Sequence, residues 1–268
     1  MSSFIEQSKQ RHAELEAKPY WKCACMPDNN DDTRRHHAML DECYSILKCF
    51  QVNSCLSIGD SRGRDAAYAK THFKCHSIAS DLNTSNLSKA VEDGFIDEAM
   101  DIDVESIPFP DSSIDLVIAK ESFHHWPRPI LGLYEMIRVS RLFTAIIEPY
   151  DCMLADPSPY VEECQYHDSY EEVGNYKYQV SLREVIKIAW AMGLPAVIAK
   201  GFNDPYEPNQ AFHDWERRKQ ALDELGNNNA RQFNLMTIIL LKDSSLIPSI
   251  TSSNQRLYLR PPNPYIFD

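Results

Sequence analysis

The residues best suited to chemistry in this chain stand at the ends of three successive apolar segments. Residues 56–58 run into the turn Gly59-Asp60-Ser61-Arg62-Gly63, residues 77–80 run into Asp81, and residues 99–102 run into Asp103. In an open parallel sheet, ligands bind outside the carboxyl ends of the strands. A glycine turn and two aspartates at successive strand ends would therefore face one crevice, which predicts a site for a small polar ligand.

The glycine turn speaks against a dinucleotide in that crevice. The dinucleotide fingerprint requires glycine at positions 59, 61 and 64, because the pyrophosphate touches the backbone at the second of them. This chain has Ser61 and Arg64 instead. A ligand without a pyrophosphate tolerates a small side chain at position 61. A nicotinamide-dependent oxidoreductase is therefore the least favoured of the three functions considered for this chain.

The two aspartates suit the sugar and base of a nucleoside. Asp81 follows Gly59 by 22 positions, where a carboxylate can accept hydrogen bonds from both hydroxyls of a ribose. The alternative is that Asp81 caps the following helix. Asp103, at the third strand end, could accept a hydrogen bond from the amino group of an adenine.

The elements that position these residues alternate between strands and helices. From residue 53 onward the pattern predicts strands at 55–59, 76–80, 98–102, 114–119 and 142–147, with helices at 64–71, 84–92 and 127–139. Such alternation is typical of βαβ units and a parallel sheet covered on both faces. A helix from 181 to 192, a strand at 196–200, a helix at 211–225 and a strand at 233–241 follow.

Three regions are predicted around this pattern. Residues 1–52 form an N-terminal arm and helix that pack on the core, and residues 243–268 form a tail across the surface. The core at 53–242 carries a tyrosine-rich cap insertion at 149–180 and a helical insertion at 203–232.

Composition restricts the kind of partner. The chain has 268 residues, a net charge of −12 and a pI near 5.2, so it lacks a broad basic face and nucleic acid is an unfavourable partner. No window reaches the ~20 apolar residues of a membrane helix, and no signal-peptide pattern is present. Most of the eight cysteines are expected to pack as small hydrophobes, with no metal site. These features predict a reducing, cytoplasmic location, and a homodimer is compatible with them.

A longer run of residues resembles a known family. Residues 103–117, DVESIPFPDSSIDLV, are followed by His124-His125 and by Arg138-Val139. The set closely resembles the third-to-fourth strand segment of class I S-adenosylmethionine-dependent methyltransferases, in particular the type 11, ubiquinone-methyltransferase-like family. The resemblance covers residues 53–148. It implies an α/β, Rossmann-like, doubly wound and mostly parallel seven-stranded sheet with helices on both faces, with S-adenosylmethionine as cofactor and S-adenosylhomocysteine as product.

The resemblance also implies cofactor contacts, residue by residue. Gly59, Asp60, Ser61 and Gly63 would line the methionine end, Asp81 and Leu82 would hold the ribose and flank the adenine, Asp103 and Val104 would meet the adenine edge, and Lys120 would lie under the sulfonium. The family usually has an acidic residue at the position of Ser57 and glycine at that of Ser61. Asp60 stands where the family often has a small residue, and it could supply the missing carboxylate.

Candidate catalytic residues follow the fourth and fifth predicted strands. His124 or His125 could remove a proton from an acceptor hydroxyl, because histidine titrates near neutral pH. Successive side chains diverge, so one of the two is expected to face the cleft; the alternative is that both pack the loop. Glu121 and Glu148 are rival bases, with capping as the alternative role. Arg34, Arg35, His36 and His37 are expected to form a solvated helix face.

Aromatic side chains are the candidates for binding the methyl acceptor. They are Tyr20 and Trp21 in the N-terminal arm, Trp126 after the histidines, and Tyr150 and Tyr160 in the predicted cap. Such rings suit sugars or flat acceptors, and they suit ordinary packing equally well.

The sequence therefore predicts a methyltransferase that moves a methyl group, by in-line displacement, to an oxygen or nitrogen of a small molecule such as a metabolite or a sugar or glycan precursor. The alternative from another class is a cofactor-binding or partner-binding protein whose active site has decayed, which Ser57 and Ser61 motivate.

Overall fold

Eight strands form one sheet in the described part of the chain. The computed structural model describes residues 2–16, 30–149, 176, 178–207, 209–228, 233–250 and 255–262. The strands are β1 Ser54–Ile58, β2 His76–Asp81, β3 Glu98–Asp101, β4 Ile114–Lys120, β5 Ser140–Pro149, β6 Ala196–Phe202, β7 Leu235–Leu241 and β8 Arg256–Leu259. Their order across the sheet is β3-β2-β1-β4-β5-β7-β6-β8.

The strand directions bring most carboxyl ends to one edge of the sheet. β1 to β5 pair in parallel, while β7 runs antiparallel to both β5 and β6. β6 therefore points the same way as β5. The predicted Rossmann-like, mostly parallel fold is confirmed, and the first five strands and β6 all end at the edge where the site was predicted.

The sheet has one strand more than predicted. Residues 256–259, in the predicted surface tail, pair with β6 in an antiparallel register. This strand was missed because it is four residues long and lies in a Ser- and Pro-rich stretch. It is too short to show the alternation of apolar and polar residues that predicts a strand.

Seven helices pack around the sheet in the described residues. They are α1 Ser2–Glu16, α2 Asp31–Leu47, α3 Arg64–Phe73, α4 Ser88–Glu92, α5 Pro129–Val139, α6 Leu182–Ala191 and α7 Phe212–Asn228. Side chains of α2 and α3 join one apolar cluster, and those of α5 and α6 join the other. The central strand β4 is buried along its whole length, as expected for a parallel strand covered on both faces.

Local hydrogen bonds set the starts of α2 and α4, and α4 begins later than predicted. α2 begins at Asp31 because the Asn30 side chain accepts a hydrogen bond from the Thr33 amide at 2.8 Å and so caps the helix. α4 begins at Ser88 rather than 84, since Asp101 accepts hydrogen bonds from both the amide and the hydroxyl of Thr84, each at 2.7 Å. These bonds hold the chain after β2 in a turn.

The β1–α3 turn and the loop after β4 are pressed together. Gly59 has a φ of +71°, and a Cβ on it would lie 2.4 Å from Ser122 Cβ. The Ser122 hydroxyl donates a hydrogen bond to the Ile58 carbonyl at 2.9 Å. Glycine is therefore required at 59 both by the backbone angle and by the neighbouring loop, and this packing sets the glycine turn beside the His124-His125 loop.

We predict that Gly59→Ala destabilises the protein more than Gly94→Ala, a control with a φ of +75° and no atom within 4 Å of the added Cβ. Gly94→Ala should cost about 1–2 kcal/mol for the left-handed backbone alone. Gly59→Ala should cost about 1–3 kcal/mol more, because its methyl group overlaps Ser122. Urea unfolding measures both free energies. Equal losses, or no recovery when Ser122→Gly is added to Gly59→Ala, would contradict the packing argument.

Candidate functional site

The carboxyl edge of the sheet gathers most of the predicted site residues. The glycine turn follows β1, Asp81 ends β2, Asp103 follows β3, the Glu121 to His125 loop follows β4, and Glu148 lies at the end of β5. Tyr20, Trp21, Tyr150 and Tyr160 lie outside the described residues. Their predicted contact with an acceptor stays a prediction.

Asp60 is turned towards its own helix. Its Oδ2 accepts a hydrogen bond from the Ala66 amide at 2.8 Å and its Oδ1 one from the Asp65 amide at 3.4 Å, so the carboxyl group caps the first turn of α3. Burial and the neighbouring Asp65 raise the pKa of Asp60. The predicted use of Asp60 as a substitute carboxylate for a ligand competes with this cap.

Ser57 lies at the base of the same turn, where the resembling family has an acid. The side chain is buried, and its Oγ has no hydrogen-bond partner among the described residues. A buried polar atom in this state costs free energy unless a polar group reaches it.

Asp81 does not cap the helix that follows it. Asp101 holds Thr84, and the residue before α4 is Leu87, which makes no side-chain cap. The Asp81 side chain is half-buried, and its Oδ1 accepts a hydrogen bond from the Leu82 amide at 2.7 Å. The alternative role considered for Asp81, as a helix cap, is therefore not the one it has here, and its neighbour on β3 holds the intervening turn.

Asp103 is fixed by two donors. Its Oδ1 accepts from the Glu105 amide at 3.0 Å and its Oδ2 from Lys9 Nζ at 2.6 Å. Lys9 lies on α1, and nothing in the hydrophobic pattern of the sequence indicated this contact. The Val104 side chain packs in the core, so its backbone is the part that could meet a ligand.

Lys120 is held inside an ion network at the end of β4. Its side chain is 3% exposed, and Nζ lies 2.9 Å from His36 Nδ1, 3.3 Å from Glu121 Oε2 and 3.6 Å from Asp65 Oδ2. These three groups already contact the Lys120 amine, so a ligand above it would have to share the amine with them. The network lies on the sheet face covered by α2 and α3.

The solvated face predicted for the start of α2 is wrong for two of its residues. The side chains of His36 and Arg35 are each only 12% exposed. Burial, together with the Lys120 charge, lowers the pKa of His36 to about 4, so the ring is neutral near pH 7 and Nδ1 accepts from Lys120. Arg35 pairs with Asp204, just after β6. Lys120, at the end of β4, needs His36 as a partner. The residue pattern within α2 could not show that contact.

Glu121 is a poor proton acceptor at neutral pH. Burial opposes its ionisation, but the charge of Lys120, with those of His36 (charged only below its own pKa) and Arg35, outweighs burial and lowers the pKa of Glu121 to about 2. Its backbone adopts a φ of +50°, an uncommon conformation for a residue other than glycine, which costs of order 1 kcal/mol. Strain of this kind is concentrated at functional sites.

Glu148 ties the loop after β4 to β5. The side chain is fully buried; Oε1 accepts from the Ser122 and Phe123 amides at 2.7 and 2.8 Å, and Oε2 lies 2.6 Å from His124 Nδ1. The His125 ring stands beside that of His124, with centroids 4.0 Å apart. Glu148 thus caps the loop and orients an imidazole at the same time.

Trp126 is in the core rather than on a crevice wall. It is 8% exposed, its ring packs on Phe123 with centroids 5.1 Å apart, and Gly132 leaves the space that its indole fills. The Trp126 ring therefore has no exposed face with which to contact an acceptor, contrary to the prediction.

The described ranges contain no group of three or more His, Cys, Asp or Glu side chains that could hold a metal ion. Among the helices found there, none is long and apolar enough to cross a membrane.

Comparison with known proteins gives the family of the central region. Residues 56–142, about a third of the chain, match the type 11 family model described as "Methyltransferase domain". No curated protein matches the sequence significantly.

Solved structures share the fold at low identity. A SAM-dependent methyltransferase from Thermotoga maritima, described as a possible histamine N-methyltransferase, is 12% identical with a TM-score of 0.52, covering 90% of this chain and 100% of its own. The YcgJ protein of Bacillus subtilis is 20% identical with a TM-score of 0.55, covering 78% and 99%. Geranyl diphosphate C-methyltransferase from Streptomyces coelicolor, solved with S-adenosylhomocysteine, is 13% identical with a TM-score of 0.51, covering 88% and 98%.

The domain match and the shared fold agree. Residues 56–142 carry a type 11 methyltransferase domain, and the described chain shares the fold of solved S-adenosylmethionine-dependent methyltransferases.

Proposed function

We propose that this protein transfers a methyl group to an oxygen or nitrogen of a small-molecule acceptor, with His124 as the base that takes the acceptor's proton. The observation that carries the proposal is the 2.6 Å contact between His124 Nδ1 and the buried Glu148. It supports the proposal because it orients an imidazole at the edge of the sheet where the cofactor is expected to bind.

The cofactor is held, in this proposal, by the three strand ends. Asp81 accepts from the ribose hydroxyls, since Asp101 already fastens the following loop. Asp103 meets the adenine amino group, because a carboxylate has about four acceptor positions and Lys9 and Glu105 take one each. The turn formed by Gly59, Ser61 and Gly63 lines the methionine end, above the unpartnered Ser57 hydroxyl.

The cofactor supplies an activated methyl group on a positively charged sulfonium, so the protein has to position the acceptor and exclude water. In this proposal, His124 donates a hydrogen bond from its Nδ1–H group to Glu148. Nε2 is then the nitrogen that accepts the proton of the acceptor. Glu148 itself is fully buried and acts through the histidine. Glu121 is the weaker candidate because its low pKa makes it a poor base.

The competing proposal is a protein that binds the cofactor without transferring its methyl group. The position of Asp60, which caps α3 instead of facing the crevice, favours it, as do Ser57 and Ser61. Cofactor binding with no transfer to any of a broad set of hydroxyl and amine acceptors would support this second function.

We predict that Asp81→Ala weakens binding of S-adenosylhomocysteine by at least about tenfold, because a lost hydrogen bond to a charged group is worth about 1.5–3 kcal/mol. Asp101→Ala is the matched control: it removes a carboxylate at the paired position of β3 that bonds Thr84 instead. Titration calorimetry on both variants gives the affinities. Equal affinity of Asp81→Ala and the wild type would refute the ribose role, and no binding by folded wild-type protein would refute the cofactor site.

We predict that His124→Asn lowers kcat by about 10²–10⁴-fold, the usual contribution of a general base, while S-adenosylhomocysteine affinity changes little. Glu148→Gln should also lower kcat, because its amide would present a donor to Nδ1 and favour the wrong tautomer. Transfer of a radiolabelled methyl group to the acceptor set measures both.

His213→Asn on α7, with 77% of its side chain exposed, is the control and should leave kcat unchanged. Similar, mild losses for His124→Asn and His125→Asn would assign both rings to loop packing.

A further inference from the structure

α1 docks on the loops after β3 and β4 with a largely polar face. Ile5, Ser8, Lys9 and His12 recur with the i, i+3, i+4, i+7 spacing of one helical face. Ser8 is 2% exposed, and the Lys9 side chain is 13% exposed. The opposite face, with Glu6, Gln7, Gln10, Arg11 and Glu14, is exposed. Three of these four side chains are polar, whereas a helix packed on a core normally presents an apolar stripe.

The contacts of this face fall on two strand ends of the crevice. Lys9 Nζ lies 2.6 Å from both Asp103 Oδ2 and Glu105 Oε2, just after β3. One turn further along α1, the His12 ring meets the His125 ring edge-on, with centroids 5.3 Å apart, after β4. α1 therefore spans from the predicted adenine end of the crevice to the predicted methyl-transfer end.

The two carboxylates that bind Lys9 differ in exposure. The Glu105 side chain is 3% exposed, whereas 38% of the Asp103 side chain is accessible. Arg128 also pairs with Glu105. Burial opposes the ionisation of Glu105, but the hydrogen bonds from Arg128 and Lys9 outweigh it and lower the pKa of its carboxyl. Glu105 is thus the buried anchor for Lys9, and Asp103 is the carboxylate that stays open to the crevice.

We propose that α1 forms a wall of the cofactor crevice and that Lys9 is a positioning residue, which fixes the Asp103 carboxylate so that it reads the adenine amino group. The proposal rests on the proposed function, since it uses the same cofactor. Without Lys9, the described partner that Asp103 keeps is the Glu105 amide, which donates to Oδ1. Oδ2 then loses the contact that fixes the rotation of the carboxylate.

The test is base discrimination by the full-length protein. S-adenosylhomocysteine carries an adenine amino donor, and S-inosylhomocysteine carries a carbonyl acceptor at the same position. The wild type should prefer the adenine ligand by at least tenfold, because a carboxylate facing a carbonyl oxygen leaves both acceptors unpaired. Lys9→Met should lose most of this preference and release S-adenosylhomocysteine several times faster.

Two variants separate positioning from general effects. Lys9→Arg keeps a cation between the two carboxylates and should retain most of the preference. Lys187→Met, on the exposed side of α6, removes one positive charge elsewhere and should behave as the wild type. Thermal unfolding of each variant establishes that it is folded.

Each outcome decides the proposal. Unchanged discrimination in folded Lys9→Met would overturn it, and tighter S-adenosylhomocysteine binding in that variant would show that α1 blocks the crevice instead of forming its wall. Binding of neither ligand by the wild type would overturn the proposed function and this inference together, whereas wild-type binding without base preference would overturn this inference and leave the proposed cofactor site standing.

Discussion

The buried carboxylate of Glu148 is the interaction on which the site depends. It comes from the end of β5, yet its hydrogen bonds go to the Ser122 and Phe123 amides and to His124. With the loop held there, the Ser122 hydroxyl reaches the Ile58 carbonyl, and its Cβ fills the space beside Gly59. One side chain thus links three strand ends. A buried carboxylate with these donors is stable in place, while loss of any donor would leave an acceptor unsatisfied at a cost of about 1–3 kcal/mol.

The second constraint is the cation at the end of β4. A lysine buried on the α2 and α3 face has to be paired, because an isolated buried charge is far too costly. His36, Glu121 and Asp65 supply that pairing. The neutral ring of His36 contributes an acceptor without adding charge. This network explains why α2, which is distant from β4 in the sequence, begins beside the glycine turn.

The sequence was sufficient for the architecture because the fold signal is repeated. Alternating strands and helices from residue 53 onward, each with an apolar core, predicted the parallel sheet, and the rule for carboxyl ends then placed Asp81 and Asp103 at one edge. A contact made by one polar side chain leaves no repeated pattern in the sequence. Nothing in the α2 pattern distinguishes a buried His36 from a solvated one, and Asp60 satisfies the glycine-turn motif equally well whether it faces a ligand or caps α3.

α1 shows the same limit in its strongest form. Three of the four side chains assigned to its docked face, Ser8, Lys9 and His12, are polar, so sequence periodicity describes it as a polar arm. Its contact with the end of β3 rests on the ion pairs of Lys9 with Asp103 and with the buried Glu105. A pattern of apolar residues within α1 cannot predict these pairs. By thermodynamic linkage, a ligand that shares Asp103 with Lys9 strengthens the docking of α1 by as much as α1 strengthens the ligand. In the proposed complex, α1 and the cofactor therefore stabilise each other through Asp103.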